Sequence, residues 1–184
     1  MKNLSQIFCA LVLFISCSEN TAYKEQLSNP ELFQSAVKNL SDIIVYDIFS
    51  PPVASRVYMY PTIAAYEIMA QVKPTEYKSL ATQLNDLGEA PKMTEKANPE
   101  LAAIYAYNII GKTLIFSEDK MEAYQEKLEE KVDDMGVPKS VRKASMAYAQ
   151  SMADHILQWA SKDMYNQTRT YPKYTILEGE KFWK

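Results

Sequence analysis

The single histidine of this 184-residue chain, His155, is the residue best suited by type to acid–base chemistry or metal binding. It lies between Met152 and Trp159 at helical spacing, which places it on or beside an apolar helix face. One histidine with no cysteine or second histidine nearby is a poor metal site. No serine stands in the context of a nucleophile elbow. We therefore expect His155 to be a structural residue.

An acidic run in the preceding segment could in principle hold a divalent cation. Lys127 and Lys131 lie among its carboxylates, each three residues from one of them. The run is therefore more typical of a solvent-exposed helix face with several ion pairs. No glycine-rich phosphate loop or dinucleotide fingerprint occurs. We predict no catalytic, cofactor-binding or metal-binding residue in this chain. The acidic residues are Glu126, Glu129, Glu130, Asp133 and Asp134.

A second kind of signal comes from the segment Pro51–Glu67, which reads PPVASRVYMYPTIAAYE. Two prolines start a helix, Arg56 lies in its first turns, and small alanines permit close helix contact. An arginine at a helix N-terminus opposes the helix dipole. We therefore expect an acidic partner for Arg56, with Asp47 or Asp42 as candidates, and a scaffold role for the segment.

The last part of the chain, residues 165–184, is polar and aromatic and has no strong helical period. Arg169 and Lys173 could meet an anion there, although an ordinary surface connector is favoured. The end, Gly179 to Lys184, has no closing cap. This pattern is typical of a truncated connector that leads to a further domain.

The first residues have the pattern of a targeting segment. Lys2 precedes an apolar run, Ile7–Ile15, which is too short to span a bilayer as a helix. Ser16 before Cys17 then predicts a lipoprotein signal peptide over residues 1–16 and a flexible tether over 17–28. The alternatives are an ordinary secretory signal and an uncleaved anchor. Acyl chains on Cys17 would anchor the protein to a membrane of the bacterial cell envelope, facing the periplasm or the surface.

Composition excludes several classes of function. The two cysteines, Cys9 and Cys17, lie in or beside the leader, so the folded part would contain no thiol for a disulfide or a zinc–thiolate site. The formal net charge is −3, and no basic stripe occurs, so nucleic-acid binding has no electrostatic support.

The hydrophobic pattern predicts an all-α fold of five or six antiparallel-packed helices that form part of a larger bundle. Residues 29–164 form this helical domain. Two helices begin with the same Asn-Pro-Glu-Leu start signal. A kink or restart is expected at Pro61. The predicted helices are Pro30–Ile48, Pro52–Val72, Thr75–Leu87, Pro99–Leu114, Glu118–Met135 and Pro138–Asp163.

The run Pro51–Glu67 resembles the early-helix signature of vanadium-dependent haloperoxidases and the type 2 phosphatidic acid phosphatase superfamily. Two further segments, Leu114–Lys120 and Gln167–Thr175, together with the leader, look like the envelope-anchored bacterial branch. The sequence departs from the pattern at Thr62 and Glu67, where relatives often carry histidine and aspartate. The residues that carry the signature are Pro51, Pro52, Ala54, Ser55, Arg56, Tyr66 and Glu67.

The resemblance implies an oxyanion site built from three motifs in the C-terminal half of the family's proteins. These motifs supply a lysine with an arginine, a serine–glycine–histidine, and an arginine with a histidine, and they hold vanadate or a substrate phosphate. None can be placed in this chain, and His155 fits neither histidine motif. Vanadate is thus implied only for a full-length haloperoxidase.

Two hypotheses follow. The chain is the N-terminal scaffold of a haloperoxidase-like or acid-phosphatase-like envelope lipoprotein that lacks its catalytic domain and is inactive alone. Alternatively, it is a non-catalytic helical lipoprotein that acts as a binding or assembly module.

Overall fold

The structure, a computed structural model, describes residues 21–172 together with 175, 178, 179 and 181. These residues form helices and no strand, so the predicted all-α class is confirmed. None of the helices they form is long and apolar enough to cross a membrane. The helices are α1 (Ala22–Leu27), α2 (Pro30–Tyr46), α3 (Pro51–Val72), α4 (Pro99–Leu114), α5 (Glu118–Asp134), α6 (Lys139–Ala160) and α7 (Tyr165–Thr168), with a 3-10 turn at Leu80–Thr82.

Side-chain caps define where α2 and α4 begin. The Asn29 side-chain oxygen accepts a hydrogen bond from the Glu31 amide at 3.0 Å, and that of Asn98 accepts one from the Leu101 amide at 2.8 Å. A proline follows each asparagine, at the position where a missing N–H leaves no hydrogen bond unmade. The same local chemistry therefore starts both helices, as the sequence predicts.

Helix α4 lies at the centre of the bundle. Ten of its residues are buried, on every side of the helix, and α3 and α6 make its most extensive contacts. At Gly111 a Cβ atom would come within 3.2 Å of the Leu40 side chain and 3.4 Å of the Met121 methyl group. The absence of a side chain at this position therefore lets α2 and α5 approach α4 closely.

The predicted helix over Thr75–Leu87 is wrong, since only Leu80–Thr82 is helical there, as a 3-10 turn. Two contacts from α3 hold this segment in its non-helical path, because Glu67 accepts from the Leu80 amide and Tyr66 donates to the Lys78 carbonyl. The positive φ angle of Asp86, 60°, is also incompatible with a continuous helix. Long-range contacts thus override the local pattern.

One other expectation is corrected. Within the predicted tether 17–28, residues Ala22–Leu27 form α1, and its Tyr23 and Leu27 side chains are buried one turn apart. At the buried Pro61, where a kink or a restart was expected, helix α3 continues without a restart. Cys17 and the predicted signal peptide 1–16 lie outside the described residues.

Replacing Asn108 with leucine should stabilise the bundle. The Asn108 side chain is 1% exposed within α4, and neither its amide nitrogen nor its oxygen has a hydrogen-bond partner. Because an unpaired buried amide carries an uncompensated desolvation cost, Asn108→Leu should raise the free energy of unfolding by about 1–3 kcal/mol, as measured by urea denaturation. By contrast, Asn98→Leu removes a helix cap and should lower the free energy of unfolding by about 1 kcal/mol. A loss of stability in Asn108→Leu would show that the amide is satisfied.

Candidate functional site

The signature helix α3 is joined to the end of α6 by an ion pair. The Arg56 Nε donates to Asp163 Oδ2 at 2.6 Å, and the Tyr60 hydroxyl donates to the same oxygen at 2.8 Å. The Arg56 and Asp163 side chains are 20% and 23% exposed, so water only partly screens the pair. Asp163 lies just after α6, three residues beyond its last residue, Ala160.

The candidates predicted as partners for Arg56 were wrong. Asp42 pairs instead with Lys38 one turn earlier in α2, at 2.6 Å. Asp47 accepts hydrogen bonds from the backbone amides of Phe116 and Ser117 at 2.9 and 3.1 Å. The helix dipole correctly predicted that Arg56 needs a carboxylate partner. That partner is Asp163, more than one hundred positions away in the sequence, because the packing of α3 against α6 brings the two side chains together.

Aromatic rings surround the Arg56 guanidinium. Its carbon lies 4.4 Å from the centroid of the Tyr165 ring and 5.2 Å from that of Tyr60. The Tyr60 ring meets Trp159 edge to face at 5.7 Å, and the Trp159 indole N–H donates to the Asn85 carbonyl at 2.9 Å. These contacts hold the start of α3, the end of α6 and the short α7 together. We call this group of residues the Arg56 joint.

The charges of the Arg56 joint shift two pKa values. Partial burial raises the pKa of Asp163, but hydrogen bonds from Arg56, the Tyr165 amide and Tyr60 outweigh this and hold it below its usual value. Burial, followed by the hydrogen bond to the Asp163 carboxylate, raises the pKa of Tyr60 to about 12. At neutral pH the joint thus contains an ionised carboxylate and a protonated phenol.

The second half of the signature forms another fixed contact. Glu67 is 1% exposed, and its carboxylate accepts from the Ser79 hydroxyl at 2.8 Å and the Leu80 amide at 2.5 Å. The adjacent Tyr66 hydroxyl donates to the Lys78 carbonyl at 3.0 Å. Tyr66 and Glu67 therefore fix the segment that follows α3. Both hydrogen bonds described for the Glu67 carboxylate come from donors within this chain.

The remaining signature residues lie at the start of α3. Pro51 and Pro52 are exposed and begin the helix, while Ala54 packs against the core. The Ser55 hydroxyl donates to the Pro52 carbonyl at 2.8 Å. The structure therefore does not bring the seven signature residues together into one site, because they divide between the Arg56 joint, the Glu67 contacts and an exposed helix start.

An apolar cavity of about 380 Å³ opens between α3, α4 and the turn between α1 and α2. Thr62 and Tyr66 both contribute to its lining, beside Phe33 and Ile104. The Thr62 hydroxyl donates to the Tyr58 carbonyl within its own helix at 2.7 Å, and that of Tyr66 is also engaged. These two hydroxyls therefore have no hydrogen left to donate to a ligand in the cavity, and could only accept a hydrogen bond from one.

The other residues with candidate chemistry do not form a site. His155 is half-buried against Gly88, and its Nε2 atom has no hydrogen-bond partner. In the acidic run, Asp133 forms an ion pair with Arg142 of α6 at 2.9 Å. Burial and a hydrogen bond to Glu129 raise the pKa of Tyr105 above its usual value. The described residues contain no group of three or more His, Cys, Asp or Glu placed to hold a metal ion.

An oxyanion such as vanadate does not fit the Arg56 joint. Binding would require several N–H donors that converge without a competing carboxylate. Arg56 and Arg169 both stack on the Tyr165 ring, but the Arg56 Nε already donates to Asp163, whose negative charge would repel the ligand. We therefore assign no oxyanion site to the Arg56 joint.

The fold and these contacts define an all-α bundle domain in which the signature helix has structural roles. A crystal structure of a bacterial vanadium-dependent iodoperoxidase matches it with 44% sequence identity and a TM-score of 0.74, over 80% of this chain and 35% of that chain. No protein-family model matches the chain, and no curated protein does. The chain belongs to the vanadium-dependent haloperoxidase superfamily, so the predicted resemblance to these haloperoxidases is confirmed, while the lipoprotein part of that prediction stays a prediction. The chain spans about a third of the length of that relative.

The Arg56 joint should make stability depend on acidic pH. The pKa of Asp163 is lower in the folded than in the unfolded chain, where it is about 3.9. Its stabilising effect is therefore present above that value and is lost as the pH falls through the folded-state pKa. Asp163→Asn should lower the free energy of unfolding by about 1–3 kcal/mol at pH 7 and by less near pH 2.5, as measured by urea denaturation. Asp154→Asn, at an exposed aspartate, is the control. If Asp163→Asn lowered the free energy of unfolding equally at both pH values, the role of the charge would be contradicted.

Proposed function

We propose that this chain is the N-terminal scaffold portion of a haloperoxidase-like or acid-phosphatase-like envelope lipoprotein and that it has no catalytic activity alone. The observation that carries the proposal is the 44% identity to an iodoperoxidase of which the chain covers 35%. The engagement of Arg56 and Glu67 in contacts within the bundle also supports a scaffold role.

In this proposal the oxyanion site belongs to a further part of the polypeptide. Vanadate would support peroxide-dependent halide oxidation there, and a phosphatase would use the same pocket for its substrate phosphate. The role of the present domain is to hold a helical surface in place for that part. Iodide is the first halide to test, because the matched relative is an iodoperoxidase.

The purified chain should show no turnover above a protein-free background. The assays are iodide and bromide oxidation with vanadate and hydrogen peroxide, and hydrolysis of a chromogenic phosphate ester. A vanadium-dependent iodoperoxidase under the same conditions is the positive control. Halide oxidation that requires vanadate, or phosphatase turnover that follows the protein through purification, would overturn the proposal that the chain is inactive alone.

The gene sequence beyond codon 184 distinguishes the two hypotheses. A reading frame that continues with a Lys/Arg motif, a Ser-Gly-His motif and an Arg/His motif supports the scaffold role. A stop codon at that point, with a soluble chain that unfolds cooperatively, supports a binding or assembly module instead.

The envelope anchor is a separate part of the proposal and depends on Ser16-Cys17 after the apolar run Ile7–Ile15. In bacteria grown with an alkyne-labelled fatty acid, the wild-type protein should be labelled and should sediment with membranes. Cys17→Ser should abolish the label, because the acyl chains attach through that thiol. Cys9→Ser is the matched control and should stay labelled. A label that persists in Cys17→Ser would disprove the lipoprotein prediction.

A further inference from the structure

Four lysine side chains come together on the surface around the start of α6. Lys24 of α1 and Lys96 line one depression in this surface. Lys92, Lys96 and Lys143 line a second depression. The two depressions share Lys96 and Ser140, so they form one continuous surface. We call these four lysines the lysine patch. They come from three separate segments of the chain, so no basic run marks them in the sequence.

The positive charges of the lysine patch are not neutralised within the domain. All four side chains are exposed, and among the residues that the structure describes none of the four forms an ion pair. Two acidic residues, Glu95 and Glu100, line the first depression, so the four ammonium groups outnumber the carboxylates beside them. The chain as a whole has a formal net charge of −3. The lysine patch is therefore a local positive region on an acidic protein, and it attracts anions.

Hydrogen bonds hold the lysine-bearing loop, residues 91–98, against α6. At one end of the loop the Tyr148 hydroxyl donates to the Pro91 carbonyl at 3.1 Å. At the other end the Asn98 amide donates to the Ser145 hydroxyl at 2.8 Å. The two lysines of the loop are therefore held beside the lysine of α6 before any partner binds. A surface that is already ordered loses less conformational entropy on binding.

Helix stability does not explain why lysines lie at this place. Helix α6 begins with Lys139 and has no acidic residue in its first turn, whereas α4 and α5 have Glu100 and Glu118 there. Positive side chains near a helix N-terminus oppose the helix dipole and lower helix stability. Residues that depart from local preference in this way are expected at functional surfaces.

The position of α1 favours a membrane surface as the partner of the lysine patch. Lys24 lies two residues after Ala22, where α1 begins. Ala22 is itself five residues after Cys17, the predicted site of lipid attachment. Five residues span at most about 18 Å in any conformation. A lipid anchor on Cys17 would therefore keep the lysine patch close to the bilayer, where anionic lipids attract lysine clusters.

We propose that the lysine patch binds the anionic headgroups of a lipid bilayer and so turns α1 and the start of α6 toward the membrane. Lysines carry compact charges on flexible stems, which suits a fluid array of headgroups better than one ligand of fixed geometry. The choice of a membrane as the partner rests on the proposed envelope anchor. The excess of positive charge does not depend on that anchor.

The test is binding of the purified complete chain, without attached lipid, to two kinds of vesicle. One kind contains equimolar phosphatidylglycerol and phosphatidylcholine, and the other contains phosphatidylcholine alone, which accounts for any binding by the apolar leader. The chain should bind the anionic vesicles more tightly, and the difference should shrink as salt is added. A variant that combines Lys92→Gln, Lys96→Gln and Lys143→Gln should bind the anionic vesicles on the order of a hundredfold more weakly at low ionic strength, because each lysine at such a surface contributes about a factor of five.

The control variant combines Lys38→Gln, Lys127→Gln and Lys162→Gln, which removes the same charge from exposed lysines that line neither depression. It should bind the anionic vesicles nearly as tightly as the wild-type chain, and both variants should keep the wild-type melting temperature. Equal binding by the two variants would overturn the lysine patch as the contact surface. Binding to polyglutamate but not to the anionic vesicles would overturn the membrane as partner and assign the patch to an acidic protein. Absence of a fatty-acid label on Cys17 would count against the envelope anchor alone, because the vesicle experiment uses no acyl chain.

Discussion

The arrangement of this bundle depends on the ion pair between Arg56 and Asp163. The pair joins the start of α3 to the end of α6. Both side chains are partly buried, so removing one partner would leave the other charge without compensation. The desolvation cost of a partly buried pair of this kind offsets much of the attraction between its charges. Tyr60 and Tyr165 complete it by a hydrogen bond and a ring contact.

Glu67 has a comparable role at the other end of α3. A carboxylate that is 1% exposed requires donors, and the chain supplies them from Ser79 and Leu80, within the segment that local patterning would have made helical. The signature helix thus carries two polar anchors about three turns apart. Each orders a neighbouring segment, which explains why charged and aromatic residues occur in a helix that is otherwise packed with alanine and isoleucine.

The sequence was sufficient to predict the long helices, because their apolar positions recur at helical spacing and because Asn29 and Asn98 cap α2 and α4 locally. It was not sufficient to identify Asp163 as the partner of Arg56, since that contact depends on how α3 and α6 pack. The one local clue was an aspartate just where the helical pattern of α6 is lost. Helix α1 was missed because Tyr23 and Leu27 form too short a pattern to separate from a polar tether.

The Arg56 joint also determines how tension would pass through the domain. Any pull on the polypeptide beyond α7 passes through α7 and then reaches Tyr165 and Asp163, and from there it is transmitted to the first turns of α3. The load would then spread into α4, which α3 contacts most extensively. A domain held at one end and extended at the other would thus bear force through its most deeply packed helices.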